Sequence, residues 1–174
     1  MTGLAQLNAL PVPLAVQELG SCCGSTAWAR RVASRRPFGD ASELYAIADE
    51  VWWNLTPNDW LEAFRAHPRI GERVGEAPQS HEAKAWSDTE QSGVHAAPGA
   101  IRGVLAQANA EYHERFGYIF IVCATGKSGE EMLAMLRVRL GNDPDTELRV
   151  AAEEQSRITR LRLEKLLTRA VTNS

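Results

Sequence analysis

Thr56-Pro57-Asn58-Asp59-Trp60-Leu61-Glu62-Ala63-Phe64-Arg65-Ala66-His67-Pro68 writes both ends of one helix into its own residues. Thr56 suits an N-cap, because its hydroxyl can accept an orphan amide of the first turn. Pro57 suits the first helical position, where no donor is missed. Trp60, Leu61 and Phe64 form one apolar face. Pro68 then removes the next backbone donor and pushes His67 out of the helical region. Segments of this kind recur along the chain, and they decide the fold.

Upstream, Asp40 and Glu43 have capping-box spacing ahead of the stripe Leu44, Ile47, Ala48 and Val51. Ser25 or Thr26 starts a helix reaching about Ser34. Thr2 caps a short one through Leu10, ended by Pro11 and Pro13, and Pro13 to Leu19 form another before Gly20. Downstream, helices are expected from about Pro98 to Arg115 and from Ser128 through Leu140. Gly141-Asn142-Asp143-Pro144 is a strong break, and the longest helix follows from about Asp145 to Thr168. Tyr118 to Ala124 is the exception, being apolar and β-prone. A lone strand has no partner, so a buried extended segment is expected. Its backbone groups must bond to neighbouring loops and water or to a polar ligand. The expected fold is therefore all-α: a single-domain multi-helix bundle over residues 1–174, with one short buried extended segment near 118–124.

The charge balance, 19 basic against 22 acidic residues, gives a net charge of −3. With both signs interspersed, there is no electrostatic case for nucleic acid or an anionic membrane. Arg30-Arg31 and Arg35-Arg36 read as a solvated helix face. Cys22, Cys23 and Cys123 are odd in number and lack ligand spacing, which argues against a disulfide framework or zinc site and fits a reducing compartment. No apolar run is long enough to span a bilayer. The N-terminus lacks a basic-then-apolar leader, and Thr172-Asn173-Ser174 is not a Ser-Lys-Leu address, so a cytoplasmic location is expected.

His67 is the first candidate for chemistry. A histidine gives or takes a proton near neutrality, and the Pro68-stiffened backbone limits its conformations. The plain alternative is a solvated histidine capping its helix. Ser87-Asp88-Thr89-Glu90-Gln91 is the second. Ser87 and Glu90 have capping-box spacing, so a helix start is expected here, with free amides and the Glu90 and Gln91 side chains able to recognise a small polar molecule. Arg162 shares a helix face with Ile158 and Leu166, so its guanidinium must snorkel outward or meet an anion. Gly126-Lys127-Ser128 follows an apolar run like the end of a phosphate loop. The first glycine such a loop needs is Ile121 here, so nucleotide binding is rejected. His81, His95 and His113 read as loop or surface residues, and no two histidines share metal-ligand spacing on one helix. The five tryptophans read as core or interface.

Ala-His-Pro-Arg-Ile-Gly-Glu at 66–72, Ser-x-x-Glu-Gln at 87–91, Phe-Gly-Tyr-Ile-Phe-Ile-Val-Cys-Ala at 116–124 and Arg-Leu at 162–163 occur in that order. Together they resemble the decarboxylases of 2-oxo-4-hydroxy-4-carboxy-5-ureidoimidazoline (OHCU), which complete the route from urate to (S)-allantoin. One departure is that many relatives read Phe-Gly-Phe-Pro-Phe where this chain has Phe116-Gly117-Tyr118-Ile119-Phe120, so Ile119 adds a backbone donor. The resemblance implies a carboxy-lyase that needs no metal or organic cofactor. It implies His67, Glu90 and Arg162 as catalytic residues. Substrate contacts would come from Pro68, Ser87, Glu90, Gln91, Arg162 and the segment Ile119, Phe120, Ile121, Val122 and Cys123. The implied partners are a ureidoimidazoline substrate and a second copy of the chain in a homodimer. Two other classes stay open on the residues alone: a hydrolase or isomerase acting on a related ureide, and a catalytically silent helical binding module. Released carbon dioxide separates the first, and binding without turnover would mark the second.

Overall fold

The computed structural model describes residues 3–71 and 80–172, and among them there are ten helices and no strand. The expected Thr2 cap lies outside the described residues, as does most of the Gly71–Ser80 loop. The helices gather into two compact units. One takes the chain up to Ala63 and from Ser156 onward, and the other runs from Phe64 to Gln155.

The first unit holds α1 (Gly3–Ala9), α2 (Val12–Cys22), α3 (Thr26–Ala33), α4 (Ala41–Trp53), most of α5 (Pro57–Arg65) and the later part of α10 (Pro144–Thr172). The caps fall where side-chain acceptors precede apolar stripes. Ser25 accepts the Trp28 amide at 3.3 Å and Asp40 accepts the Glu43 amide at 2.8 Å. Trp28 is fully buried, and its indole donates to the Ala48 carbonyl at 3.0 Å, tying α3 to α4. Two expectations change. α2 passes through Gly20, because Pro11 and Pro13 sit at its start and no proline follows to stop it. Arg36 is not part of a solvated face. It is half-buried, and its Nη1 donates to the carbonyls of Leu7 at 2.8 Å and Leu10 at 2.7 Å, satisfying acceptors at the end of α1.

The second unit holds α6 (His81–Glu90), α7 (Ser92–His95), α8 (Gly99–Phe116), α9 (Gly129–Arg139) and the first part of α10. α8 ends on Gly117, whose φ of 79° is the left-handed cap that glycine adopts without strain. Ser128 and Glu131 form a full capping box at the start of α9. Gly93 packs so close to the Lys127 carbonyl that a β-carbon there would sit 2.0 Å from its oxygen. After Gly117 the chain forms neither helix nor strand as far as Ala124 and then turns at Thr125-Gly126, with Phe120, Val122 and Ala124 packed into a core that includes Leu105, Tyr112, Met132 and Leu136.

That core contains a charge. Arg139, at the end of α9, donates from Nε to Glu147 Oε1 at 2.7 Å and from Nη1 to the Ile121 carbonyl at 2.6 Å. Its guanidinium lies 4.5 Å from the Phe120 ring centre. Glu147 is fully buried and also accepts from the Tyr112 hydroxyl and, at 2.8 Å, from Asn142 Nδ2. Burial holds the Tyr112 hydroxyl well above its ordinary range; Arg139 opposes and the hydrogen bond to Glu147 adds, so Tyr112 stays a donor. A fully buried Leu or Phe contributes about 1.5–3 kcal/mol through burial. A buried ion pair contributes little net, since desolvation offsets attraction, yet losing one partner costs about 3–5 kcal/mol. Arg139→Leu should therefore lower the unfolding free energy by about 3–5 kcal/mol in a urea titration followed by circular dichroism. A cost below about 1 kcal/mol would mean that Glu147 finds water or another donor.

Candidate active site

The second unit carries most of the residues singled out from sequence. α5 ends as its Thr56–Pro68 pattern dictates, with the His67 amide donating to the Phe64 carbonyl at 3.1 Å. Pro68 is buried and His67 half-buried. The imidazole Nε2 meets Gln155 Oε1 of α10 at 2.7 Å. Two side-chain amides hold the backbone after His67. Asn109 Nδ2, from α8, donates to the Ile70 carbonyl at 3.0 Å, and Gln91 Oε1 accepts the Gly71 amide at 3.0 Å. Gln91 is thus brought to the His67 segment, though part of its amide serves the fold.

Ser87 to Gln91 do not begin a helix. They form the last turn of α6 and its C-cap, while Ser80 caps the start by accepting the Ala83 amide at 3.1 Å. The spacing of Ser87 and Glu90 is also that of neighbours on one helix face, so a capping-box match inside a helix carries no boundary. Ser87 is buried and donates to the Ala83 carbonyl at 2.9 Å. No helix starts at Ser87; Gln91 closes α6 and precedes the one-turn α7, and Ser87 and Glu90 present side chains of the α6 end. His81 is the first residue of α6 rather than a loop residue, and it is exposed, as are His95 and His113.

The segment 119–123 is extended and unpaired by any strand, as expected, and the chain's own side chains take several of its backbone groups. Ile119 is half-buried, and Phe120, Ile121, Val122 and Cys123 are buried. Arg139 takes the Ile121 carbonyl, Glu154 Oε2 accepts the Cys123 amide at 2.7 Å, and Lys127 Nζ donates to the Cys123 carbonyl at 2.7 Å. Burial pushes the Cys123 thiol above its ordinary value; Lys127 opposes, and the carboxylates of Glu154 and Glu90 add to it. Glu90 therefore lies within electrostatic reach of this segment. Sequence reasoning missed Glu154 and Gln155. Their signal was a pair of polar residues among Ala151, Ala152 and Ile158 on a helix that needs an apolar stripe.

Arg162 belongs to the first unit. It is 3% exposed, as its place between Ile158 and Leu166 required, whereas Arg160 is exposed, stacks on Tyr45 and pairs with Glu164 at 2.8 Å. Cys22 and Cys23 lie beside it. Burial raises both thiols, and the Arg162 charge partly opposes this. Among the described residues no cluster of three or more potential ligands could hold a metal ion, and no helix is long and apolar enough to cross a membrane.

A model of the OHCU decarboxylase family matches residues 8–164. The chain belongs to the OHCU decarboxylase family. It is similar to the uric acid degradation bifunctional protein TTL of Arabidopsis thaliana, 40% identical over 149 residues, which are 84% of this chain and 45% of that protein. The chain thus spans less than half of that relative. It is 30% identical over 174 residues to the 2-oxo-4-hydroxy-4-carboxy-5-ureidoimidazoline decarboxylase of Amia calva, covering 98% of each. The fold matches a crystal structure of OHCU decarboxylase in the presence of (S)-allantoin with a TM-score of 0.76 and 37% identity, over 87% of this chain and 97% of that one.

The buried thiols beside Arg162 give a pH-dependent expectation. The Cys23 thiol is pushed up to about 11 from an ordinary 9.0, first by burial. Its folded value lies above its unfolded one, so its contribution is fully present below pH 9 and declines as pH rises toward 11. Unfolding free energies measured by urea across that interval should fall more steeply for the native chain than for Cys23→Ala. Parallel profiles would remove Cys23 as a source of the alkaline sensitivity.

Proposed function

We propose that this chain catalyses the decarboxylation of 2-oxo-4-hydroxy-4-carboxy-5-ureidoimidazoline to (S)-allantoin, as a carboxy-lyase in urate and purine catabolism. The observation that carries the reading is the family match over residues 8–164; His67, Glu90, Gln91 and Arg162, the residues the motif resemblance implies, lie within that range. One decarboxylase domain spans that match.

The chemistry asks three things of a protein. The bond from the ring carbon to the carboxylate must be held where it can break. The electron pair it leaves must be delocalised into the adjoining unsaturated ring while carbon dioxide departs, and a proton must then reach one face of that carbon. The substrate's own ring is the electron sink, so the reaction as written calls for no organic cofactor or metal. His67 supplies or relays the proton. Glu90 orients it or holds the substrate hydroxyl. Arg162 offers a planar fork suited to a carboxylate or to the charge left behind. Ser87 and Gln91 bond the ureido or ring amides, Pro68 packs against the ligand and fixes His67, and the backbone of 119–123 completes recognition. Because the Cys123 amide and carbonyl and the Ile121 carbonyl already have partners in Glu154, Lys127 and Arg139, the other backbone groups of Ile119 to Val122 serve this last role best. A homodimer and a reducing, cytoplasmic location complete the reading. Exposed Val12 and Leu14 on α2 support the first, and three free, buried cysteines the second.

His67→Asn should abolish most turnover, by on the order of 10²–10⁴ in rate, while circular dichroism and melting stay native-like. A folded variant releasing carbon dioxide at the wild-type rate would remove His67 from the reaction. Arg162→Lys keeps a charge but loses the fork, so kcat/KM should fall markedly with little change in Tm, whereas the exposed control Arg160→Lys should leave activity unchanged. Equal behaviour of the two variants would sink the anion-binding role of Arg162.

A further inference from the structure

We propose that Gln155 is a positioning residue that sets the tautomer and orientation of His67. This rests on the acid–base role given to His67 above. Gln155 is fully buried on α10, and its Oε1 lies 2.7 Å from His67 Nε2. A carbonyl-type oxygen only accepts, so Nε2 must carry the hydrogen. The lone pair of the neutral ring is then on Nδ1, which makes Nδ1 the ring nitrogen able to accept a proton.

The identity of the partner matters as much as its presence. Glu153, Glu154 and Gln155 are consecutive, and the imidazole meets the neutral one. Glu154 accepts the Cys123 amide at 2.7 Å. A carboxylate at the position of Gln155 would favour the imidazolium and hold the ring charged. An amide oxygen accepts from Nε2 in both protonation states, so the ring is steadied without being locked into one of them. The pairing also spans 88 residues of sequence, from the proline-stiffened end of α5 to α10, and a buried glutamine gives up its rotamer freedom to make it.

The test is ¹⁵N-edited NMR of the histidine side chains in the native chain, Gln155→Leu and Gln155→Glu, with His67 signals identified by their loss in His67→Asn. The native His67 should show the Nε2–H tautomer when neutral. Gln155→Leu should bring a mixture of tautomers and a fall in kcat of roughly tenfold or more, short of the ~10²–10⁴-fold loss of the ring itself, with KM little changed. Gln155→Glu should keep the tautomer and shift the His67 titration to higher pH. A native Nδ1–H tautomer, or unchanged His67 signals in folded Gln155→Leu, would overturn the proposal. The NMR readout is independent of turnover, so it tests Gln155 even if the native chain releases no carbon dioxide, an outcome that would instead overturn the proposed reaction.

Discussion

A guanidinium buried in an apolar core must have its donors met, and the arrangement that meets those of Arg139 organises the second unit. Nε and Nη1 point to two different partners, the Glu147 carboxylate and the Ile121 carbonyl, while the flat face lies against Phe120. Tyr112 and Asn142 complete the bonding of Glu147. One cation thereby links α8, α9, α10 and an extended segment that has no sheet to belong to. Without a fixed donor at Ile121, that segment would carry an unmet buried carbonyl, at a cost of about 1–3 kcal/mol. The pair is better understood as fixing the path of the chain than as adding net stability.

Most of the helices were legible because their ends are chemical. Thr56-Pro57, Asp40 with Glu43, Ser25 and Ser128 each place an acceptor or a proline where a first turn needs one, and the helices begin there. Misreadings came where a local pattern is degenerate. Ser87 and Glu90 look like a cap, but a hydroxyl three residues before a glutamate also occurs inside helices, and Ser80 is the cap because its own backbone is extended and its hydroxyl accepts the Ala83 amide. Arg36 looked like surface because its neighbours are charged; only the fold shows the end of α1 arriving beside it. The site residues divide in the same way. His67 is announced by Pro68, and Arg162 by the apolar neighbours on its face. Glu154 and Gln155 stand out locally only as polar residues on an apolar stripe, and their partners, 31 and 88 residues away, are visible only in the fold.

The extended segment shows how a protein can use bare backbone in a core. A strand would have its groups met by a neighbouring strand. Here each bonded group has a different side chain as partner: arginine for one carbonyl, lysine for another, glutamate for an amide. Charged partners make stronger hydrogen bonds than neutral ones, so the geometry is held by a few strong contacts instead of a ladder. The price is three ionic side chains drawn from elsewhere, and the return is a polar surface whose pattern side-chain substitution can alter group by group.

The placement of the cysteines has a consequence for following motions of the molecule. Cys22 and Cys23 lie in the first unit and Cys123 in the second, and all three are free and buried. A thiol shielded in this way reacts with a bulky alkylating reagent only during transient opening of its surroundings. Labelling rates at low reagent concentration therefore report an opening equilibrium rather than intrinsic reactivity. Because the thiols are divided between the units, one mass-spectrometric time course would read two local stabilities from the unmodified chain, and would tell whether the units open together or one at a time.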